Sequence, residues 1–153
     1  MKQFIILTII AIFFVSCSTV KEVSSTTNFE VTFVSAKAES SGKYRVDLLI
    51  KNLGGDKLIF IQSEKVTLID KEGVNYTCSD IVLGNSKLKY DSYWGKCITN
   101  TLYSNVPTKL SLYFDTAENI EYISTCAIEL ILEKKSLDAP KITLKLNDIS
   151  TEK

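Results

Sequence analysis

The sequence predicts an all-β protein, an antiparallel sandwich or barrel. Three observations carry that expectation. Apolar and polar residues alternate at period two in segment after segment. Turn signals built on Gly, Asn, Asp and Pro recur at spacings of roughly ten residues. Beyond residues 1–16, no apolar stripe at helical period runs through the chain.

The elements follow in order. From Asn28 to Glu39, Phe29, Val31 and Phe33 share one face, and Glu30, Thr32 and Val34 the other. Ser40-Ser41-Gly42 turns the chain, and Tyr44, Val46, Leu48 and Ile50 then alternate against Arg45, Asp47, Leu49 and Lys51. These two segments read as a meander pair with one buried face. Asn52-Leu53-Gly54-Gly55-Asp56 is the next turn, and Leu58 to Ile61 is a short apolar strand entering the core. KVTLIDKEGVNYTC is the clearest hairpin. Val66 and Leu68 lie on one arm, Asp70 to Gly73 form a type I turn closed by a left-handed glycine, and Val74, Tyr76 and Cys78 return. Residues 79–95 lose the rhythm and read as a long loop or a helical turn. Cys97 to Tyr103 is a strand, and Pro107 opens another over Thr108 to Asp115. Ala117 to Ser124 is a connection with room for a helical turn. Cys126, Ile128, Leu130 and Leu132 then alternate with Ala127, Glu129, Ile131 and Glu133, and Pro140 starts a last strand carrying Ile142, Leu144 and Leu146.

Strands ending in I-K-N-L-G-G-D, the hairpin T-L-I-D-K-E-G-V-N-Y and the late strand N-V-P-T-K-L-S-L-Y-F-D resemble the small immunoglobulin-like domains of many bacterial lipoproteins of unknown function. The resemblance spans roughly residues 28–148 and implies an immunoglobulin-like antiparallel β-sandwich of about 7–9 strands. It brings no catalytic residues. Leu53 interrupts the Asn-Gly pair of that pattern, and no Gly precedes Lys109.

Ahead of the domain stands MKQFIILTIIAIFFVSC. Lys2 is a positive n-region, and Phe4 to Val15 is an apolar run broken only by Thr8, short for a bilayer span but right for the h-region of a cleaved signal. Val15-Ser16-Cys17 resembles the lipobox of bacterial lipoproteins, with Phe14 in place of the usual Leu, as in the looser lipoboxes of the Bacteroidota. The resemblance implies a signal peptide over 1–16, cleavage before Cys17 and lipidation of Cys17 with palmitate. Residues 17–27 then form a tether, polar and small, and residues 28–150 the domain. The implied location is the cell envelope, lipid-anchored at the outer membrane on its periplasmic or surface face. Ser18 after the cysteine is compatible with outer-membrane sorting, and Glu22 faintly echoes a surface-export signal.

Charge balances at 18 basic and 18 acidic residues, so no electrostatic footprint for nucleic acid exists. The sequence has no histidine, which removes the commonest general base and transition-metal ligand. With Cys17 taken by lipid, Cys78, Cys97 and Cys126 remain. Export favours a disulfide. Cys78–Cys97 is the candidate, closing a loop of about 20 residues worth roughly 3 kcal/mol in the chain-entropy model. Cys78–Cys126 stays open beside it, and the leftover thiol is a buried filler.

Chemistry-bearing patterns are sparse. Ser86–Lys87, Ser111 and Ser136 have lysines nearby, but none forms a recognisable Ser–Lys motif. Asp70 with Glu72 and Glu118 with Glu121 are carboxylate pairs, the first inside a turn that lacks the alternating ligands of a calcium loop. The expectation is therefore no catalytic site, no metal and no cofactor. The stretch most suited to binding is KLKYDSYWGK. Lys87, Lys89, Tyr90, Tyr93 and Trp94 there combine flat apolar rings with polar tips, the chemistry of a glycan-binding or protein-binding loop; Trp94 plugging one end of the sandwich is the packing alternative. Asp115-Thr116-Ala117 resembles a Bacteroidota O-glycosylation signal, with Thr116 the acceptor. The leading function is a non-enzymatic envelope lipoprotein that binds or scaffolds an envelope protein or glycan. A lipocalin-like barrel carrying a small apolar ligand, without that family's Gly-x-Trp strand opening, and an envelope enzyme are the alternatives.

Overall fold

The computed structural model describes residues 28–133 and 136–151; the signal, Cys17 and the tether lie outside the described residues. The strands are β1 (Phe29–Ala38), β2 (Tyr44–Asn52), β3 (Lys57–Gln62), β4 (Val66–Asp70), β5 (Asn75–Leu83), β6 (Ser86–Lys87), β7 (Lys89–Asp91), β8 (Gly95–Leu102), β9 (Thr108–Phe114), β10 (Tyr122–Leu132) and β11 (Lys141–Ser150). A 3-10 turn, Ser63–Lys65, separates β3 from β4.

The hydrogen-bonded order is β1-β2-β9-β5-β4-β10-β3-β8-β7, with β11 on β10 and β6 on β5. This path folds over on itself at β5. The start of β5 pairs with β4, and from Cys78 onward it pairs with β9. A register shift between Cys78 and Asp80 marks the corner, and such a bulge bends a strand sharply. One layer is therefore β1, β2, β9, late β5 and β6. The other is β11, β10, β3, β4, early β5, β8 and β7. β3 and β4 act as one kinked strand, since both pair with β10, at Ile131–Leu132 and at Ile123–Ile128.

The inward residues of the two layers meet in one core. Val46, Leu48 and Ile50 of β2 and Leu110, Leu112 and Phe114 of β9 join Ile59, Ile61, Leu68 and Ile128 of the second layer, all at 0% exposure. Each such side chain contributes about 1.5–3 kcal/mol of burial. Tyr44 is buried among them, and its hydroxyl donates to the Ile120 carbonyl at 2.7 Å. That bond ties β2 to the approach of β10.

The all-β antiparallel sandwich is the observed fold, with more strands than expected. The extra ones come from residues 79–95, which are neither loop nor helical turn. Ile81 and Leu83 carry β5 on through the core at 0% exposure, and Gly84-Asn85 then makes a two-residue turn, Gly84 at φ 56°, into β6. Nor does Ala117 to Ser124 hold a helical turn: β10 already begins at Tyr122. The Asp70–Gly73 turn is as expected. Gly73 stands at φ 81°, its N–H donates to the Asp70 carbonyl at 3.2 Å, and Asp70 Oδ1 accepts from the Glu72 and Val74 amides.

The candidate disulfide is corrected. Cys78, Cys97 and Cys126 are free, buried thiols. Cys78 points into the core, with Cys126 in the same cluster. Cys97 sits out of phase with the inward Ile98 and Leu102 of β8 and lines a cleft on the outer face. Side chains on opposite faces of a sheet cannot meet disulfide geometry without moving the backbone. Burial pushes the Cys78 and Cys126 thiols up to about 12.

Candidate functional site

The stretch singled out for binding is a tight hairpin between β7 and β8. Asp91 organises it: its Oδ1 accepts from the Tyr93 and Trp94 amides, both at 2.9 Å, and Gly95 closes the turn at φ 67°. Tyr90 pairs across with Lys96, and Lys89 with Cys97.

Trp94 does not plug the end of the sandwich. It lies on the outer face of the second layer, half-buried against Phe60, Ile131 and Ala139, a small cluster separate from the main core. Gln62 Nε2 donates to the Trp94 carbonyl at 2.9 Å, pinning the turn to β3. Tyr93 meets Trp94 edge-on, with ring centroids 5.4 Å apart and planes at 72°. That is a favourable aromatic geometry. Tyr93 is nevertheless 70% exposed and Tyr90 80%. The turn thus presents Tyr93 on a tryptophan foundation, with Tyr90 exposed on β7 beside it.

Clefts flank this ridge. One, about 620 Å³, runs between Tyr93, Trp94 and the exposed Leu137, with Ser92, Ser136 and Asp138 at its rim. A second, about 630 Å³, lies along Lys87, Lys89, Tyr90, Asp91 and Thr99. A third, about 310 Å³, shares Lys89 and Tyr90 with the second and extends to Lys43, Leu88 and Lys96. The structure therefore brings Lys87, Lys89, Tyr90, Tyr93 and Trp94 to one edge.

The remaining candidates fall elsewhere. Asp70, Glu72, Glu118 and Glu121 surround a hollow of about 240 Å³ with Tyr76. Asp70 is engaged there by the turn amides and by the Tyr76 hydroxyl at 3.0 Å. Burial, with Asp70 alongside, pushes the Tyr76 phenol up to about 12. Among the described residues, no group of three metal-ligating side chains is placed to hold an ion. Thr116 sits half-buried in the β9–β10 connection, its Oγ1 accepting from the Glu118 amide at 3.2 Å.

Sequence reasoning missed one cluster. On the outer face of the first layer, Ser35, Asp47 and Ser111 lie in register across β1, β2 and β9. Ser111 Oγ donates to Asp47 Oδ1 at 2.6 Å, Lys109 Nζ lies 3.1 Å from Oδ2, and Arg45 Nε 3.4 Å from it. Arg45 also reaches Glu39 at 2.6 Å. Burial opposes the Asp47 charge. The hydrogen bonds from Ser111 and Lys109, with the charges of Arg45 and Lys109, outweigh it and hold the carboxyl below its usual value. Ser111, noted for its neighbouring lysine, is bonded to an ionised carboxylate that also holds Lys109, so the pair forms no nucleophile with a base.

No family model matches the chain, and no curated protein does. Solved structures similar to it include the ASH/PapD-like domain 7 of human CEP192, at 16% identity and TM-score 0.34, covering 82% of this chain and 88% of that one. AvmM, which catalyses macrocyclization in alchivemycin A biosynthesis, is similar at 11% identity and TM-score 0.31, covering 86% and 97%. The DNA-binding domain of C. elegans Cep-1 is similar at 11% identity and TM-score 0.35, covering 86% and 85%. At these identities and scores, none of the three says what this chain does.

Proposed function

We propose that this chain is a non-enzymatic binding module of the cell envelope, anchored through a lipid on Cys17 and meeting its partner with the β7–β8 ridge. The observation that carries the reading is the exposure of Tyr90 and Tyr93 beside open clefts, on a turn held by Asp91, Gln62 and the Trp94 cluster. Large exposed rings on a fixed turn bind without a large entropic cost of ordering. The lipobox resemblance and the polar tether supply the anchor, with the outer membrane as its site. A hollow ligand-carrying barrel has less support, because side chains of both layers fill the space between them. Thr116, in a surface connection, is a candidate glycan acceptor on the same module.

Two measurements test the reading. Cells fed labelled palmitate should mark the wild-type chain but not Cys17→Ala; equal labelling removes the anchor. Full-length protein should retain purified sacculi or extracted envelope polysaccharide, and Tyr93→Ala with Leu137→Ser should lose that retention. Unchanged retention by the double variant, or none by the wild type, removes the ridge as the binding surface.

A further inference from the structure

We infer that the ligand of the ridge is an acidic polysaccharide, its sugar rings stacking on Tyr90 and its carboxylates meeting Lys87, Lys89 and Lys96; this rests on the binding reading above. The chain as a whole is neutral, but its charge is not evenly spread. The two clefts that share Tyr90 are lined by four lysines (Lys43, Lys87, Lys89 and Lys96) and two aspartates (Asp80 and Asp91). Both aspartates are engaged by backbone: Asp80 Oδ1 accepts from the Ile81 amide, and Asp91 Oδ1 from the Tyr93 and Trp94 amides. Lys43 is shared between Ser79 Oγ at 3.2 Å and Asp115 at 3.7 Å. Lys87, Lys89 and Lys96 make no ion pair among the described residues. Three ammonium groups without an ion pair among the described residues thus line the two clefts that share Tyr90, and lysines outnumber aspartates there by four to two.

The geometry favours a saccharide over an acidic peptide. β7 ends its layer but is three residues long, Lys89–Asp91, too short a template for strand addition. A sugar ring needs no main-chain ladder. Its flat apolar face lies on an exposed ring, and its carboxylate reaches a neighbouring lysine. Clefts of about 630 and 310 Å³ share Lys89 and Tyr90, so a polymer lying over that tyrosine can occupy both instead of ending in one.

The test is affinity electrophoresis of the full-length protein in native gels cast with polygalacturonate, dextran or polyglutamate. Polygalacturonate should retard the wild type, and dextran should not. Tyr90→Ala keeps the charge and removes a ring outside the core, so its melting curve should match the wild type while its apparent Kd rises about tenfold. Lys89→Gln with Lys96→Gln should weaken binding by at least as much. Wild-type affinity in Tyr90→Ala would reduce the surface to an ion exchanger and overturn the inference. Equal retardation by polyglutamate or by dextran, or none by polygalacturonate, overturns it too. If polygalacturonate fails while retention of sacculi still depends on Tyr93 and Leu137, the binding reading stands and only the acidic ligand falls.

Discussion

Asp47→Asn removes one negative charge and little volume from the outer face of the first layer. The Asp47 side chain is only 4% exposed, and its partners are Ser111 at 2.6 Å, Lys109 at 3.1 Å, Arg45 at 3.4 Å and the Ser35 hydroxyl at 3.4 Å. Arg45 Nε makes no hydrogen bond among the described residues and faces the Asp47 charge, while the other end of its guanidinium stays on Glu39 at 2.6 Å. A hydrogen bond to an ionised group contributes about 1.5–3 kcal/mol. Lys109 is 56% exposed, and its share is screened towards the roughly 0–1 kcal/mol of a surface pair. Asparagine keeps one acceptor for Ser111. The loss at pH 7 should therefore be about 2 kcal/mol, read as a lower urea midpoint at unchanged slope. The pH dependence gives the sign. A carboxyl held below its ordinary 3.8 contributes fully above that value and loses its contribution as pH falls through the folded pKa. Every other carboxylate is common to both proteins, so the difference between them isolates Asp47. The gap between wild type and Asp47→Asn should thus be widest at neutral pH and close below pH 3.8. A gap that is absent at pH 7, or equal at pH 7 and at low pH, refutes the assignment of that stability to the Asp47 charge.

Tyr44→Phe should cost about 1 kcal/mol in urea unfolding, because Thr151 Oγ1 still donates to the Ile120 carbonyl that Tyr44 leaves. Cys78 and Cys126 should resist iodoacetamide in the native state and react once unfolded, with mobility unchanged by reductant; a reductant-sensitive band would restore a disulfide. Their thiols are raised from 9.0 to about 12, so they support the fold below pH 9.0 and withdraw that support as pH climbs towards 12. Cys126→Ala should accordingly lose stability less steeply than wild type across that range. Gly73→Ala, at φ 81°, should cost about 1–2 kcal/mol, while Gly55→Ala, with open space at its Cβ, should stay within about 0.5 kcal/mol.

The parts of this fold legible in sequence are those decided by neighbours in the chain. The Asp70–Gly73 turn needs only its own residues: a carboxylate that caps two amides and a glycine that takes positive φ. The inward phase of β2 and β9 needs only alternation. What escaped was decided across the chain. That β5 leaves one layer for the other at Cys78 depends on β4 and β9 competing for its edges, and neither choice is written in its own sequence. The disulfide expectation fails because separation along the chain says nothing of which face a thiol takes. The Asp47 cluster joins residues 12 and 64 positions apart, and each looks like an ordinary outward polar residue alone. The candidate binding stretch is legible in composition but not in form, since its lost rhythm is that of short edge strands and a tight turn.

Trp94 shows why the ridge stands where it does. A sandwich layer packed on one side leaves its other side to solvent, yet here Phe60 and Ile131 face outward and need cover. Trp94 and Ala139, from two different connections, supply it. Fixing the indole there fixes the turn that follows Asp91, and the ring's edge-on contact with Tyr93 leaves that tyrosine nowhere to pack but outward. Apolar surface at Tyr93 is then a consequence of how the outer face is closed, and its cost in solvent is tolerated by the burial beneath it. The foundation and the proposed contact surface are therefore separable by mutation: changes at Tyr93 alter exposed surface, whereas changes at Trp94 reach the fold first.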